Sequence, residues 1–187
     1  MDLRRIFARA LVVAGLLAAT APAAADQYDD RLGGLFDQLG DAAGPDEGAV
    51  LTREIWRVWL ENGDPGIGTL LARGMIEMSH RRLERARAIF TLVTQRDPDF
   101  AEGWNKRATA NYLLGNYDES IGDIGRTLAL EPRHFGAISG LGLVWLRLGD
   151  ATAAREAFSR ALAINPWLSD TRQRIEQLDD QPDGEPI

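Results

Sequence analysis

The chain has 187 residues and a formal net charge of −7 at pH 7, with 28 acidic residues against 21 basic ones. This acidic balance argues against a surface that binds nucleic acid. Because the chain contains no cysteine, it has neither a disulfide nor a thiolate nucleophile, and its length suits one medium-sized domain or a short repeat array.

The first 25 residues predict an export signal. Three arginines lie within the first nine residues, an apolar run follows over 11–19, and the small-residue stretch AAAD ends the segment. The apolar run is shorter than the ~20 residues that a membrane-spanning helix needs. We therefore expect cleavage after Ala25 and a periplasmic protein without a stable membrane span. The general secretory route is favoured over the twin-arginine route, although the pair Arg4-Arg5 leaves both open.

Residues 26–66 predict two amphipathic helices. The first carries leucines and aromatic residues along one stripe, and the second carries Trp56 and Trp59. Neither helix fits the repeat that follows, so the pair is predicted to be an N-terminal helical cap. The two tryptophans either pack on neighbouring helices, which is the preferred interpretation, or form a docking surface for a partner.

A repeat of 34 residues organises the chain from residue 67 to residue 168. Positions in register include Leu70, Trp104 and Ile138; Gly74, Ala108 and Gly142; Phe90, Ile124 and Phe158; and Pro98, Pro132 and Pro166. Within each unit, apolar residues recur at three- and four-residue steps in two segments, which predicts two helices joined by a turn. The predicted units are 67–100, 101–134 and 135–168. Since such a hairpin cannot bury its apolar face alone, the units must stack.

This repeat resembles that of the tetratricopeptide repeat family, whose unit carries the pattern W-x2-L-G-x2-Y…A-x3-F…P. The third unit matches best, with Leu141-Gly142, Trp145 in the tyrosine position, Ala154-x3-Phe158 and Pro166. The resemblance implies an all-α, right-handed superhelical stack of helix–turn–helix hairpins. It also implies a concave groove that binds a protein or peptide.

In this family, one stripe on the first helix of each unit lines the groove. The 34-residue register places on this stripe Met75 and Met78, then Asn105, Thr109 and Tyr112, then Leu143 and Leu146. Because the stripe is mostly apolar, we expect a helix or an extended segment with apolar side chains as the partner. Family members that bind the acidic C-termini of heat-shock chaperones use Lys, Asn and Arg here. Only Asn105 matches that chemistry, so this partner class is not expected.

Other residues of the second unit are predicted to support the fold. Trp104, Ala108 and Asn111 share the face that packs on the second helix of the unit. Arg107 stands where the family pattern has Leu. Its methylene groups are therefore expected to cover apolar surface while the guanidinium reaches water.

The last segments predict a C-terminal capping helix over 169–180, with Ser169 as its N-cap, and a disordered tail over 181–187. The sequence predicts neither a metal site nor a cofactor. The two histidines, His80 and His134, are 54 residues apart, and a structural metal site needs about four ligands. No nucleophile motif or phosphate-binding loop is present.

The sequence therefore predicts a non-catalytic protein-interaction module of the cell envelope. The alternative is a structural subunit of an envelope assembly or biogenesis complex. Such a subunit would dock through its convex face or through the helix that carries Trp56 and Trp59. The oligomeric state is not predicted.

Overall fold

The computed structural model describes residues 29–180, and over this range the chain forms nine α-helices and no strand. The helices are α1 (Asp30–Asp41), α2 (Pro45–Leu60), α3 (Pro65–Ser79), α4 (Leu83–Arg96), α5 (Ala101–Leu114), α6 (Tyr117–Leu130), α7 (Phe135–Leu148), α8 (Ala151–Ile164) and α9 (Ser169–Asp179). In the described part of the chain, no helix has the length and apolar character to cross a membrane. The predicted export signal and C-terminal tail lie outside the described residues.

The three repeat units are the hairpins α3–α4, α5–α6 and α7–α8. From α3 to α9, each helix packs against the next one along the chain. This arrangement confirms the prediction of an all-α solenoid of helical hairpins. The first unit begins slightly earlier than predicted, because Asp64 caps α3 and Pro65 is its first residue.

Small and large residues at equivalent positions close each hairpin. A Cβ atom on Gly74 would lie 2.4 Å from Cε1 of Phe90, and one on Gly142 would lie 2.4 Å from Cε1 of Phe158. The glycines thus let the two helices of a unit approach closely while a buried phenylalanine fills the space between them. The pattern that identifies the repeat is therefore the pattern of its core.

The turn inside each unit has the same backbone conformation. Gly115 and Gly149 adopt positive φ angles of 82° and 81°, and Arg81 adopts 61° at the equivalent place in the first unit. The left-handed conformation costs an ordinary residue roughly 1–2 kcal/mol. Stacking of the units therefore imposes the turn even where the sequence does not favour it.

The N-terminal hairpin, formed by α1 and α2, does not lie on the first unit as an end cap would. Instead α2 runs along the connections between successive units. Its N-terminal half packs against Trp167, Trp59 stacks on the ring of His134 with 4.0 Å between centroids, and Asn62 Nδ2 donates to Asp97 Oδ2 at 2.9 Å. The N-terminal hairpin therefore contacts all three repeat units, which is a different arrangement from the predicted cap.

Close packing and hydrogen bonds hold the N-terminal hairpin in this position. Gly48 lies against the indole of Trp167, where an added Cβ atom would be only 2.1 Å from Cγ. The Trp167 Nε1–H group donates to the Leu39 carbonyl oxygen at 3.1 Å, and Asn165 Nδ2 donates to Thr52 Oγ1 at 2.8 Å. Asp97 and Asn165, which each precede a repeat proline, thus both bind the region of α2.

An apolar cluster joins the N-terminal hairpin to the third unit. Its buried members are Leu32, Leu39, Leu51, Ile55, Val58, Trp59 and Phe135. The helix α9 packs on α8 at the other end of the array. It begins at Ser169 with Leu168 as N-cap residue and no side-chain cap, so Ser169 is not the N-cap that the sequence predicts.

Candidate partner-binding face

The predicted groove residues all lie on the first helices of the three units, α3, α5 and α7. Four of them, Asn105, Thr109, Tyr112 and Leu143, line one cavity of about 60 Å³. Leu146 is half-buried on α7 but does not line this cavity. The structure thus brings together the predicted residues of the second unit with one from the third.

The two methionines lie elsewhere on this face. Met75 and Met78 are half-buried and pack against the core of the first unit, which contains Ile67, Leu71 and Phe90. Their thioether side chains therefore cover the first unit. They do not belong to the cavity on the second.

The cavity has apolar walls and a polar rim. Gly140 forms part of its wall, and a Cβ atom there would find only Ile124 Cδ1, at 3.9 Å. At the rim, Arg147 Nε donates to the hydroxyl oxygen of Tyr112 at 3.4 Å. The site can accept one apolar side chain while exposed polar groups surround it.

The N-terminal hairpin covers the first turns of this face. Trp56 lies over Gly136 so closely that a Cβ atom on the glycine would be 2.5 Å from Cη2 of the indole. The ammonium group of Lys106 lies 5.1 Å from the centroid of the same indole. Only the part nearer the C-terminal ends of α5 and α7 is therefore open.

A buried charged cluster lies beneath the covered part. The Glu102 side chain is fully buried; its Oε1 lies 2.6 Å from Lys106 Nζ, and its Oε2 accepts from Asn105 Nδ2 at 2.8 Å. His134 Nδ1 accepts from the backbone N–H of Ala137 at 3.1 Å, so the ring proton must be on Nε2, which is 3.0 Å from Glu102 Oε2. Neutral His134 and ionised Glu102 therefore form a hydrogen bond.

The charge state of Glu102 follows from these contacts. Burial alone would raise the pKa of this carboxyl group, but the positive charge of Lys106 and the hydrogen bond from His134 outweigh it, and the pKa lies below its ordinary value. Glu102 is thus a carboxylate at neutral pH. Asn105, only 6% exposed, is held by Glu102, so its amide does not extend towards a partner.

Sequence reasoning missed Glu102. The only signal for it was the spacing of four residues between Glu102 and Lys106, which is common on exposed helices. Its other neighbour, His134, lies at the end of the same unit, 32 residues along the chain, and completes the cluster.

Arg107 differs from its prediction. Its Nε and Nη2 donate to the two carboxylate oxygens of Asp123 at 2.9 and 2.5 Å, and its Nη1 donates to Thr94 Oγ1 at 3.2 Å. Asn111 Nδ2 donates to the same carboxylate at 3.0 Å. The guanidinium therefore forms a bidentate pair inside the second unit, and only 21% of the side chain remains exposed.

Trp104 is less buried than a core residue. Its indole lies between two guanidinium groups, those of Arg107 at 4.6 Å and Arg126 at 5.5 Å, and its Nε1–H donates to the Pro98 carbonyl oxygen at 2.9 Å. Ala108 and Asn111, which were predicted to share its face, are buried. Trp104 thus caps the edge of the hairpin, and the smaller residues form its interior.

The two candidate docking tryptophans have different environments. Trp59 is 1% exposed and lies in the apolar cluster with Phe135, so packing accounts for it. Trp56 is half-buried, and its indole meets Phe135 edge-on at 5.8 Å. Only Trp56 offers part of its surface to solvent.

No metal centre accompanies these features between residues 29 and 180, where no three histidine, aspartate or glutamate side chains are grouped to hold a metal ion. His80 lies next to the guanidinium of Arg82, with 3.2 Å between Nδ1 and Nη2. His134 is already hydrogen-bonded through both ring nitrogens.

The tetratricopeptide repeat family model matches residues 71–129 and 114–166, which together span about half of the chain. The chain belongs to the tetratricopeptide repeat family. A curated TPR repeat-containing protein of Rhizobium etli is 33% identical to it over 148 residues, covering 79% of this chain and 72% of that protein.

Solved structures of tetratricopeptide repeat domains share its fold. The first such domain of Spaghetti (RPAP3), bound to the HSP90 peptide SRMEEVD, superposes with a TM-score of 0.58 at 18% identity and covers 60% of this chain and 90% of that one. The Yersinia enterocolitica type III secretion chaperone SycD, in complex with a peptide of the translocator YopD, gives 0.58 at 11% identity and covers 62% and 94%.

Proposed function

We propose that the protein is a non-catalytic protein-interaction module of the cell envelope. In this proposal, a peptide or helix binds the open, largely apolar part of the face formed by α3, α5 and α7. The observation that carries it is the cavity between Tyr112 and Leu143, into which Gly140 places no side chain. An apolar side chain of the partner would enter this cavity.

Two comparisons support an interaction role. A domain of RPAP3 and the chaperone SycD, both with this fold, are solved with bound peptides. The present cavity has a mainly apolar lining, and its candidate polar residue, Asn105, is held by Glu102. We therefore propose a partner segment with an apolar anchor instead of an acidic chain terminus.

The same proposal places the protein in the periplasm. Its support is the sequence of the first 25 residues, with early arginines, a short apolar run and a small-residue end. N-terminal sequencing of protein recovered from the soluble envelope fraction tests it. We expect the mature chain to begin at Asp26; an intact N-terminus in the membrane pellet would contradict export with cleavage.

A matched pair of charge substitutions tests the binding face. We expect Leu143→Glu combined with Tyr112→Ala to abolish recovery of a protein partner from periplasmic extract, because a carboxylate in the cavity would lose its hydration without gaining a partner. Leu92→Glu introduces the same charge at a leucine that is 43% exposed on α4, and it should leave recovery unchanged. Melting temperatures establish that both variants fold.

Two outcomes would contradict this assignment. Normal recovery with the double variant would show that the open face does not bind the partner. Loss of partner recovery with Leu92→Glu alone would indicate that the partner contacts the second helices of the units. That result would favour a subunit that docks through its convex face.

A further inference from the structure

A second cleft lies where the N-terminal hairpin reaches the end of the array. Its volume is about 310 Å³, and its walls come from α2, from the start of α7 and from the start of α9. Ligand pockets often lie where separate structural units meet, and this volume is at the lower end of their usual range. The cleft exists because α2 crosses to the third unit, so the repeat alone does not create it.

Aromatic side chains dominate this cleft. Trp56 and Trp167 line it together with Phe135, and two hydroxyl groups, of Ser139 and Thr171, lie 3.2 Å apart in its wall. Trp56 and Trp167 are half-buried, so part of each indole remains open. Two of the five tryptophans of the chain thus meet in one accessible site.

The charge of the cleft is negative. Asp170 is exposed at its edge, and its carboxylate accepts only a weak hydrogen bond from Ser169 Oγ, at 3.4 Å, with no ion pair among residues 29–180. Among the described residues, no arginine or lysine lines the cleft. Asp170 lies in the first turn of α9, where its charge offsets the positive end of the helix dipole.

One of these aromatic rings, that of Trp56, already lies beside a cation of the protein. The ammonium group of Lys106 lies 5.1 Å from the centroid of the Trp56 indole. Tryptophan is the aromatic residue that attracts cations most strongly, and clusters of such rings are used to bind quaternary ammonium groups. A cleft with two partly exposed indoles and an exposed carboxylate fits that chemistry.

We propose that this cleft binds a small organic cation, with Trp56 and Trp167 as its aromatic walls and Asp170 as its counter-charge. An ammonium group lies against the indoles, and its substituent extends past Asp170 to solvent. The site adjoins the cavity at Tyr112 and Leu143, because Gly136 lines both, but its proposed ligand is of a different chemical class. Its occupation does not depend on the proposed partner.

Titration of the ¹⁵N-labelled protein with choline tests the proposal by NMR. We expect saturable shifts of the indole N–H signals of Trp56 and Trp167, while those of Trp104 and Trp145 stay in place. The compound 3,3-dimethylbutan-1-ol has the shape of choline without the charge and serves as the matched ligand. It should bind at least about fivefold more weakly, because it lacks the interaction of the cation with the rings and carboxylate.

A matched pair of variants tests the counter-charge. Asp170→Asn should weaken choline binding by about two- to fivefold, the usual size of an exposed charge interaction. Asp180→Asn changes an acidic residue beyond the other end of α9 and should have no effect. Equal affinity for choline and its neutral analogue, or no effect of Asp170→Asn, would overturn the proposal. Tighter binding of a neutral sugar such as N-acetylglucosamine would also overturn it.

Discussion

At the scale of single residues, polar side chains replace the family's apolar ones in the second unit. Arg107 and Asn111 occupy positions that the repeat pattern assigns to Leu and Tyr, and both bind the buried carboxylate of Asp123. The sequence showed each departure separately. It did not show that both replacements bind the same carboxylate, because Asp123 lies on the next helix.

Arg107→Leu is therefore expected to destabilise the protein even though it restores the family residue. Asp123 would remain buried and lose its ion pair, a change that typically costs about 3–5 kcal/mol. Urea denaturation measures the change in the free energy of unfolding. Arg126→Leu removes a guanidinium that is exposed beside Trp104, and it should change stability by less than about 1 kcal/mol.

The double variant Arg107→Leu, Asp123→Leu checks the reason for this loss. If the unpaired carboxylate is its cause, removal of both charges should restore most of the stability. A single Arg107→Leu variant as stable as the original protein would mean that the ion pair contributes nothing.

Glu102 should make stability depend on pH. Its pKa in the folded protein is below the ordinary 4.5 because Lys106 and His134 outweigh its burial. Folding is therefore stabilised by this group above about pH 4.5, and that contribution is lost as the pH falls through the folded pKa.

A pH series of urea denaturation on Glu102→Gln isolates this contribution. At pH 7 the variant should be less stable than the original protein, and the difference should shrink as the pH is lowered towards 3. Glu84→Gln, at an exposed position paired with Arg87, should show little difference at either pH. A constant deficit for Glu102→Gln would mean that its ionisation is not coupled to folding.

At the scale of helices, some glycines permit close packing, whereas others only lower the helix propensity of their segment. A Cβ atom added to Gly122 or Gly125 in α6 would meet open space, whereas a Cβ atom on Gly48 in α2 would overlap the Trp167 indole. The same residue type therefore has opposite roles on two helices. Propensity alone cannot tell them apart, because the difference depends on a residue far along the chain.

Substitution by alanine should change the free energy of unfolding in opposite directions at these two kinds of site. Gly122→Ala and Gly125→Ala should each stabilise the protein by about 0.5–1 kcal/mol, the difference in helix propensity. Gly48→Ala should destabilise it, because the rigid indole must shift and overpacking typically costs about 1–3 kcal/mol. Thermal denaturation of the three variants gives the comparison. A stabilising Gly48→Ala would show that α2 does not press on Trp167.

At the scale of the whole molecule, the repeat and the two helices before it were predictable, but the position of the N-terminal hairpin on the repeat was not. Periodicity exposes pairs such as Gly142 and Phe158, which recur at a fixed spacing and lie in one unit. The contacts of the N-terminal hairpin join residues 113 and 128 positions apart, Thr52 with Asn165 and Leu39 with Trp167. A single aperiodic pairing of this kind leaves no repeated signal. The partial cover of the candidate partner-binding face and the second cleft both follow from it.

These long-range contacts change how the array should unfold. In a simple solenoid, each repeat contacts only its neighbours, and local stability can differ from unit to unit. Here α2 contacts the connections that precede α7 and α9, and Asn62, in the loop after α2, contacts the one that precedes α5. Opening the first or the third unit should therefore disturb α2 as well, so the three units should unfold together.

Native-state hydrogen exchange tests this coupling. In the original protein, the slowest amides of α4 and α8 should exchange with the same free energy, and Phe158→Leu in α8 should lower both equally. Trp59→Ala removes the ring that stacks on His134 and should cost about 3–5 kcal/mol. In that background, Phe158→Leu should lower protection in α8 and leave α4 nearly unchanged. If α4 and α8 already respond independently with Trp59 in place, the N-terminal hairpin does not couple the units.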